Sequence, residues 1–203
     1  MIKQSDVVIV IPHLGVTPEQ EYAFDECYAS LRESVPDMHI VVAKNGGACP
    51  HPRQVRVVSQ GQCKAVNAAV AMTNEPWILV TNDDMVYAPG WWDHLLGFTS
   101  FQCISPVLVE PRPGAPTFQV QSFGGAGGDF NKEGWVEYAR DYFDMANSQK
   151  GDVRTGFNLP FLISRDLWNT IGGYDINFDP FSSNSDSDLE YKNFHQGPVV
   201  ERF

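Results

Sequence analysis

Two carboxylates, Asp83 and Asp84, follow Asn82 at the end of the apolar run WILVT (77–81), and Pro89, Gly90, Trp91 and Trp92 come shortly after. Adjacent side chains point in different directions, so the pair needs either water or a cation. A hard divalent cation suits it, because such ions take oxygen ligands and keep several waters. That cation is useful where a diphosphate is bound and later released, since it neutralises the leaving charge. The competing explanation is a solvated turn in which Asn82 and Asp83 cap backbone groups. A second acidic stretch, SSNSDSDLEYKNF, spans 182–194. Asp175, Asn177, Asp179 and Asp186 fall at offsets 1, 3, 5 and 12, as in a calcium loop. Against that, Pro180 stands where the loop needs glycine, and the last position is Asp and not Glu.

Elements that could position these acids follow from periodicity. VVIVIP (7–12) is a continuous β-branched run, the pattern of a strand buried on both faces. Thr17, Pro18 and Gln20 supply an N-cap, a first-turn proline and a capping-box partner. Phe24, Cys27, Tyr28 and Leu31 follow at helical spacing. HIVVA (39–43), VRVVS (55–59) and WILVT read as further strands, with a small-residue helix over 62–72. Strands alternating with helices predict an α/β fold with a parallel sheet and right-handed crossovers. Ligands bind such sheets at the carboxyl ends of the strands, where Pro12, Asn45 and Asn82-Asp83-Asp84 fall. Farther on, 101–109 and 157–164 read as strands, 122–130 as a glycine-rich loop, and 165–171 as a short helix closed by Gly172-Gly173. Trp135, Tyr138, Ala139 and Tyr142 form an aromatic helical stripe that reads as core. Trp91 and Trp92 are neighbours on one helix, so at most one can line a pocket while the other packs. Ser187 reads as the N-cap of a helix that starts at Asp188.

The 203 residues are enough to bury a core, and their formal charge of −11 argues against a basic face for non-specific nucleic-acid binding. Cys27, Cys49, Cys63 and Cys103 are scattered without paired spacing, the usage of free thiols in a reducing compartment. The amino terminus has too short an apolar run for a signal peptide, and no run approaches the ~20 apolar residues of a membrane span. No repeat or linker interrupts the chain. The expectation is a soluble, cytoplasmic, single domain over 1–203.

The blocks VVIVIPHLG, VVAKNGG, GQCKAVNAAV, WILVTNDDMVYAPGWWDHLL and FNLPFLISRDLWNTIGGYDINFDPFSSNSDSDLEYKNFHQG occur in an order that resembles the inverting, family-2-type glycosyltransferases. The resemblance covers nearly the whole chain. It implies the GT-A fold, a Rossmann-like single-domain sandwich with a mostly parallel sheet, with 1–100 as the nucleotide-binding half and 101–203 as the acceptor and base half. It also implies transfer of a sugar from a nucleotide diphosphate sugar to a carbohydrate or other hydroxyl-bearing acceptor, with Mn2+ or Mg2+. Asn82-Asp83-Asp84 stands at the family's DxD-type motif: Asp84 matches the metal ligand, and Asp83 would contact metal or ribose. Pro12 and His13 match the strand end that lines the nucleotide pocket, and Asn67 matches an asparagine of the following helix. Lys64 would offset diphosphate charge or lie as a surface lysine. Asp186 inherits the general-base position. A helix amino end favours its ionised form by ~0.3–1 kcal/mol, and deprotonating a sugar hydroxyl requires that form.

This chain departs from the family pattern in three places. Lys44, beside Asn45, replaces the acid that usually ends the second strand. A cation cannot accept from uracil N–H, so the resemblance leaves a different base, or direct phosphate contact by Lys44, as the alternatives. The Glu before Asp186 is replaced by Ser185. After HQG only six residues remain, and no histidine matches the one that often completes the metal shell. These departures keep a non-catalytic sugar-nucleotide or carbohydrate-binding module in view. A nucleotidyltransferase would need a cationic, glycine-rich loop after the first strand, which PHLGVTPEQ lacks.

Overall fold

The computed structural model describes residues 2–44, 54–56, 61–96, 103–106, 108–110, 119–125, 128–146, 152–154, 159–179, 185–194 and 199–201. The strands β1 (Val7–His13), β2 (His39–Lys44), β3 (Gln54–Arg56), β4 (Trp77–Val80), β5 (Cys103–Ser105), β8 (Asp152–Arg154), β9 (Phe161–Ser164) and β10 (Val199–Glu201) form one sheet. Its order is β3-β2-β1-β4-β9-β5-β10-β8. The β3-β2-β1-β4 half is parallel throughout. In the other half β9 runs antiparallel to both β4 and β5, and β10 runs parallel to β5. A short parallel pair, β6 (Val109–Glu110) and β7 (Gln119–Val120), stands apart.

The period-2 rule explains why continuous apolar runs serve as strands here. Val8, Val10, Val41, Ile78, Val80, Phe161 and Ile163 enter the core on one face of the sheet. Their alternates Val7, Ile9, Ile11, Ile40, Val42, Leu79 and Leu162 enter the core on the other. The first face is covered by α2 (Gln62–Ala71), α5 (Arg165–Ile171) and α6 (Ser185–Phe194). The second is covered by α1 (Pro18–Ser34) and α3 (Trp91–Leu95), with Phe143 of α4 (Lys132–Ala146) packed against it. The result is a helix-sheet-helix sandwich. Among the described residues no helix is long and apolar enough to cross a membrane.

Local signals fix several boundaries. Thr17 accepts from the Gln20 N–H while Gln20 reaches back to the Thr17 N–H, closing the expected capping box. The expected 101–109 strand divides into β5 and β6, interrupted at Pro106, which has no N–H for a ladder. Helix α6 begins at Ser185, ahead of the expected start at Asp188. Ser185 and Leu189, one turn apart, are both buried, and that shared buried face draws the helix start back.

Candidate active site

Helix α2 opens at the edge where the parallel strands end, and its first turn is capped from far along the chain. The Asp179 carboxylate accepts the Cys63 N–H at 3.0 Å and the Lys64 N–H at 2.9 Å. Gly61, at φ +143°, allows this approach, because a Cβ there would collide with that carboxylate. Asp175 accepts from the Asn177 N–H at 2.9 Å and starts a 3-10 turn at 176–178. Two of the acids at calcium-loop spacing are therefore spent on backbone caps. The helix end that otherwise attracts an anion already holds one, which leaves the Lys64 side chain, and not the Cys63 and Lys64 N–H groups, to meet a diphosphate here. Asn67 is committed too: its amide donates to the Tyr174 carbonyl at 2.8 Å and accepts the Tyr174 N–H at 3.1 Å.

The carboxylate pair lies across the sheet edge from this cap. Asp83 Oδ2 accepts from His13 Nδ1 at 2.7 Å, and His13 Nε2 lies 3.4 Å from Glu21. The His13 ring is fully buried and stacks on Phe24 with centroids 4.2 Å apart. Asp83 is thus fixed, whereas Asp84 is exposed. The segment that follows is fastened along α1. Cys27 Sγ donates to the Asn82 carbonyl at 3.6 Å, Ser30 Oγ accepts the Tyr87 N–H at 3.0 Å, and Ser34 Oγ accepts the Trp91 Nε1–H at 2.9 Å. Positions 27, 30 and 34 share one helix face. Burial, with Asp83 and Asp84 nearby, pushes the Cys27 thiol well above the usual thiol range, so it stays protonated and donates. Cys63 and Cys103 are likewise buried and in no disulfide; Cys49 lies outside the described residues.

Lys44 ends β2 directly opposite His13 on β1. It is 3% exposed, and its Nζ has no hydrogen-bond partner among the described residues. A buried, unpaired ammonium is costly and marks a place that expects an anion or a lone pair. Pro12 is buried on the same strand end as His13. Asn45 lies outside the described residues, as does the Asp186 side chain. The backbone position of residue 186 follows from topology. β10 is parallel to β5 and therefore to β4, so the chain enters β10 from the amino edge. An α6 that leads down to this entry has its first turn, with residue 186, toward the carboxyl edge where Asp84 also lies, on the sheet face covered by α2 and α5. Asp188 pairs within α6 with Lys192 at 2.6 Å.

Asp84 also lies on the wall of a cavity of about 650 Å³ beneath α4. The expected core stripe on α4, Trp135, Tyr138, Ala139 and Tyr142, forms part of this wall, with Trp91. Trp91 and Trp92 both pack in the core, and of the two Trp91 also lines the cavity. An aromatic stripe reads the same from sequence whether it faces a core or a cavity, since both exclude water. The polar seam of Ser30 and Ser34, and the Asp179 cap, leave no periodic trace and were not legible.

For a cation, Asp84 and the fixed Asp83 offer hard oxygen donors. Among the described residues no three His, Cys, Asp or Glu side chains converge to form a complete shell. Magnesium-type sites need only one or two protein carboxylates when substrate phosphates and water supply the rest, so the residues fit a shared site.

Sheet order, crossovers and layers define the GT-A fold. The structure matches S. aureus TarS (residues 1–349) with a TM-score of 0.63 at 10% identity, over 96% of this chain and 57% of that one. It matches the mannosyltransferase PcManGT from Pyrobaculum calidifontis, in complex with GDP-Man and Mn2+, at 0.60 and 14% identity, over 97% and 56%. It matches GalNAc-T7 with UDP, GalNAc and Mn2+ at 0.64 and 13% identity, over 97% and 42%. The chain thus spans little more than half the length of these relatives, or less, and at such identities the likeness concerns the fold. No family model and no curated protein matches the sequence.

Proposed function

We propose that this chain is a metal-dependent, inverting glycosyltransferase that moves a sugar from a nucleotide diphosphate sugar to an acceptor hydroxyl. The observation that carries it is the grouping at one sheet edge of an exposed Asp84, an Asp83 fixed by His13, and the buried ammonium of Lys44, which has no hydrogen-bond partner among the described residues. Ligands of open α/β sheets lie across such an edge, and fold relatives are recorded with UDP-GlcNAc and with GDP-Man and Mn2+.

In this reading Asp84, helped by Asp83, holds Mn2+ or Mg2+ against the donor diphosphate. When bound, the cation supplies neutralisation of the charge that gathers on the leaving diphosphate. Pro12, His13 and Asn45 line the nucleotide, and Lys44 meets its base edge or a phosphate oxygen. The Lys64 side chain adds positive charge, while Asn67 acts through Tyr174 to hold the 172–175 turn. Asp186 takes the acceptor proton as the acceptor oxygen attacks the anomeric carbon from the face opposite the diphosphate.

The testing experiment is a thermal-shift screen of uridine, guanosine and cytidine diphosphate sugars with and without Mn2+. The panel is wide because Lys44 donates to a base edge and cannot accept from one. At least one sugar nucleotide should raise the melting temperature more with Mn2+ than without it; no shift from any of them would remove the proposal. Lys44→Met sharpens the test. Removing this buried charge, which has no partner among the described residues, should stabilise the unliganded protein by about 1–3 kcal/mol, read by urea unfolding. The same change should weaken donor binding by about tenfold or more.

A second reading, a sugar-nucleotide-binding module without catalysis, draws on the lack of a complete metal shell among the described residues. Release of free nucleoside diphosphate from the bound donor, with or without acceptor, separates the two.

A further inference from the structure

We infer that the cavity under α4 is an acceptor subsite for a neutral, unphosphorylated carbohydrate, an inference that rests on the glycosyltransferase reading. Its volume of about 650 Å³ falls in the ~300–1,000 Å³ range of sites that enclose most of a small ligand. Along α4, Trp135, Tyr138 and Tyr142 form a row on one helix face. Their neighbouring centroids are 6.3 and 6.2 Å apart, and the planes are inclined by only 25° and 22°. Phe123 braces this row, with centroids 5.6 Å from Trp135 and 5.4 Å from Tyr138. These near-parallel rings give the cavity an aromatic platform along one wall.

The charges of the wall select the ligand. Glu26 and Asp84 line the cavity, and among its described lining residues there is no Lys or Arg. In the metal-free protein a phosphorylated acceptor would lose hydration beside two carboxylates, and among the described lining residues His94 is the one basic side chain that could compensate. A pure hydrocarbon would fill the volume but leave the buried Trp135 Nε1–H without an acceptor; among the described residues it has none. A sugar ring satisfies both demands. Its C–H face meets the negative faces of the aromatic platform, and its hydroxyls accept from Trp135 and donate to Glu26. Asp84 lies on the same wall, so a ring held there keeps a hydroxyl near the transfer centre. In the transfer the acceptor oxygen forms a bond to the anomeric carbon. The bond from that carbon to the diphosphate oxygen breaks, its electron pair leaves with the diphosphate, and the acceptor proton passes to Asp186.

The test is calorimetric titration, without donor or metal, of the whole chain with neutral gluco-, manno-, xylo- and chito-oligosaccharides. The comparison ligands are the same glycans bearing one phosphate, and an alkyl chain without sugar. At least one neutral glycan should bind saturably, and its phosphorylated form about tenfold more weakly. Tyr138→Ala and Tyr142→Ala, each checked for a native melting transition, should weaken glycan binding about tenfold, the size of a lost aromatic contact. Failure of every neutral glycan, tighter binding of the phosphorylated or alkyl ligand, or unchanged binding by both variants overturns the inference. A nucleotide-sugar shift measured on the same preparation separates the two claims. Donor binding without glycan binding removes only the cavity assignment, and glycan binding without any donor removes the glycosyltransferase reading.

Discussion

Asp84→Asn should abolish the part of nucleotide-sugar binding that depends on Mn2+ and lower transfer by at least about 10²-fold. A bound metal supplies several kcal/mol of charge stabilisation, and each ~1.4 kcal/mol is a factor of ten in rate. Asn keeps the shape but replaces one charged oxygen by an NH2 group, which cannot ligate a cation. Urea unfolding of the variant, in which an exposed residue is changed, separates loss of function from loss of fold. Asp83→Asn makes the contrast. Its carboxylate accepts from buried His13 at 2.7 Å, so neutralising it weakens a charge-assisted hydrogen bond and should lower stability as well as activity. Wild-type Mn2+ stimulation in Asp84→Asn, measured by nucleoside diphosphate release, would exclude Asp84 as the metal ligand.

Asp186→Asn should divide binding from chemistry. Donor affinity with Mn2+ should survive, because the residue sits in the first turn of α6 and is assigned to the acceptor side. Transfer should fall by about 10²–10⁴-fold, the usual contribution of a general base. The loss should appear in kcat and kcat/KM together, since the proton is taken only in the transition state. Equal weakening of donor binding and transfer would move Asp186 to the donor side, and an unchanged kcat would remove it from the mechanism.

The sheet was readable because its signals are local. Runs such as VVIVIP and WILV are buried on both faces, and a strand in that position has to be apolar throughout. The α1 capping box lies within four residues of sequence. The carboxyl-edge position of Asp83 and Asp84 followed from strand direction alone. What escaped were contacts between distant positions. Asp179 caps α2 across 116 residues of sequence, and Arg165 donates to the carbonyls of Glu75 and Val70 and to the Thr73 hydroxyl. Such polar contacts depend on tertiary placement and carry no period. The α4 stripe shows a different gap. Its amphipathicity announced a dry neighbour, yet whether that neighbour is protein or a ligand-sized space depends on how far Trp91 and Phe123 stand from it.

The central claim is that Asp84 and Asp186 face one cation-bearing cleft. A crystal structure with a nucleotide diphosphate sugar and Mn2+, located by the anomalous scattering of manganese, tests it most directly. The account predicts a manganese peak about 2.0–2.3 Å from an Asp84 carboxylate oxygen and in contact with the donor diphosphate. It also predicts the Asp186 carboxylate on the opposite side of the anomeric carbon. A manganese ion bound away from Asp84, or an Asp186 carboxylate turned away from the donor, would contradict it.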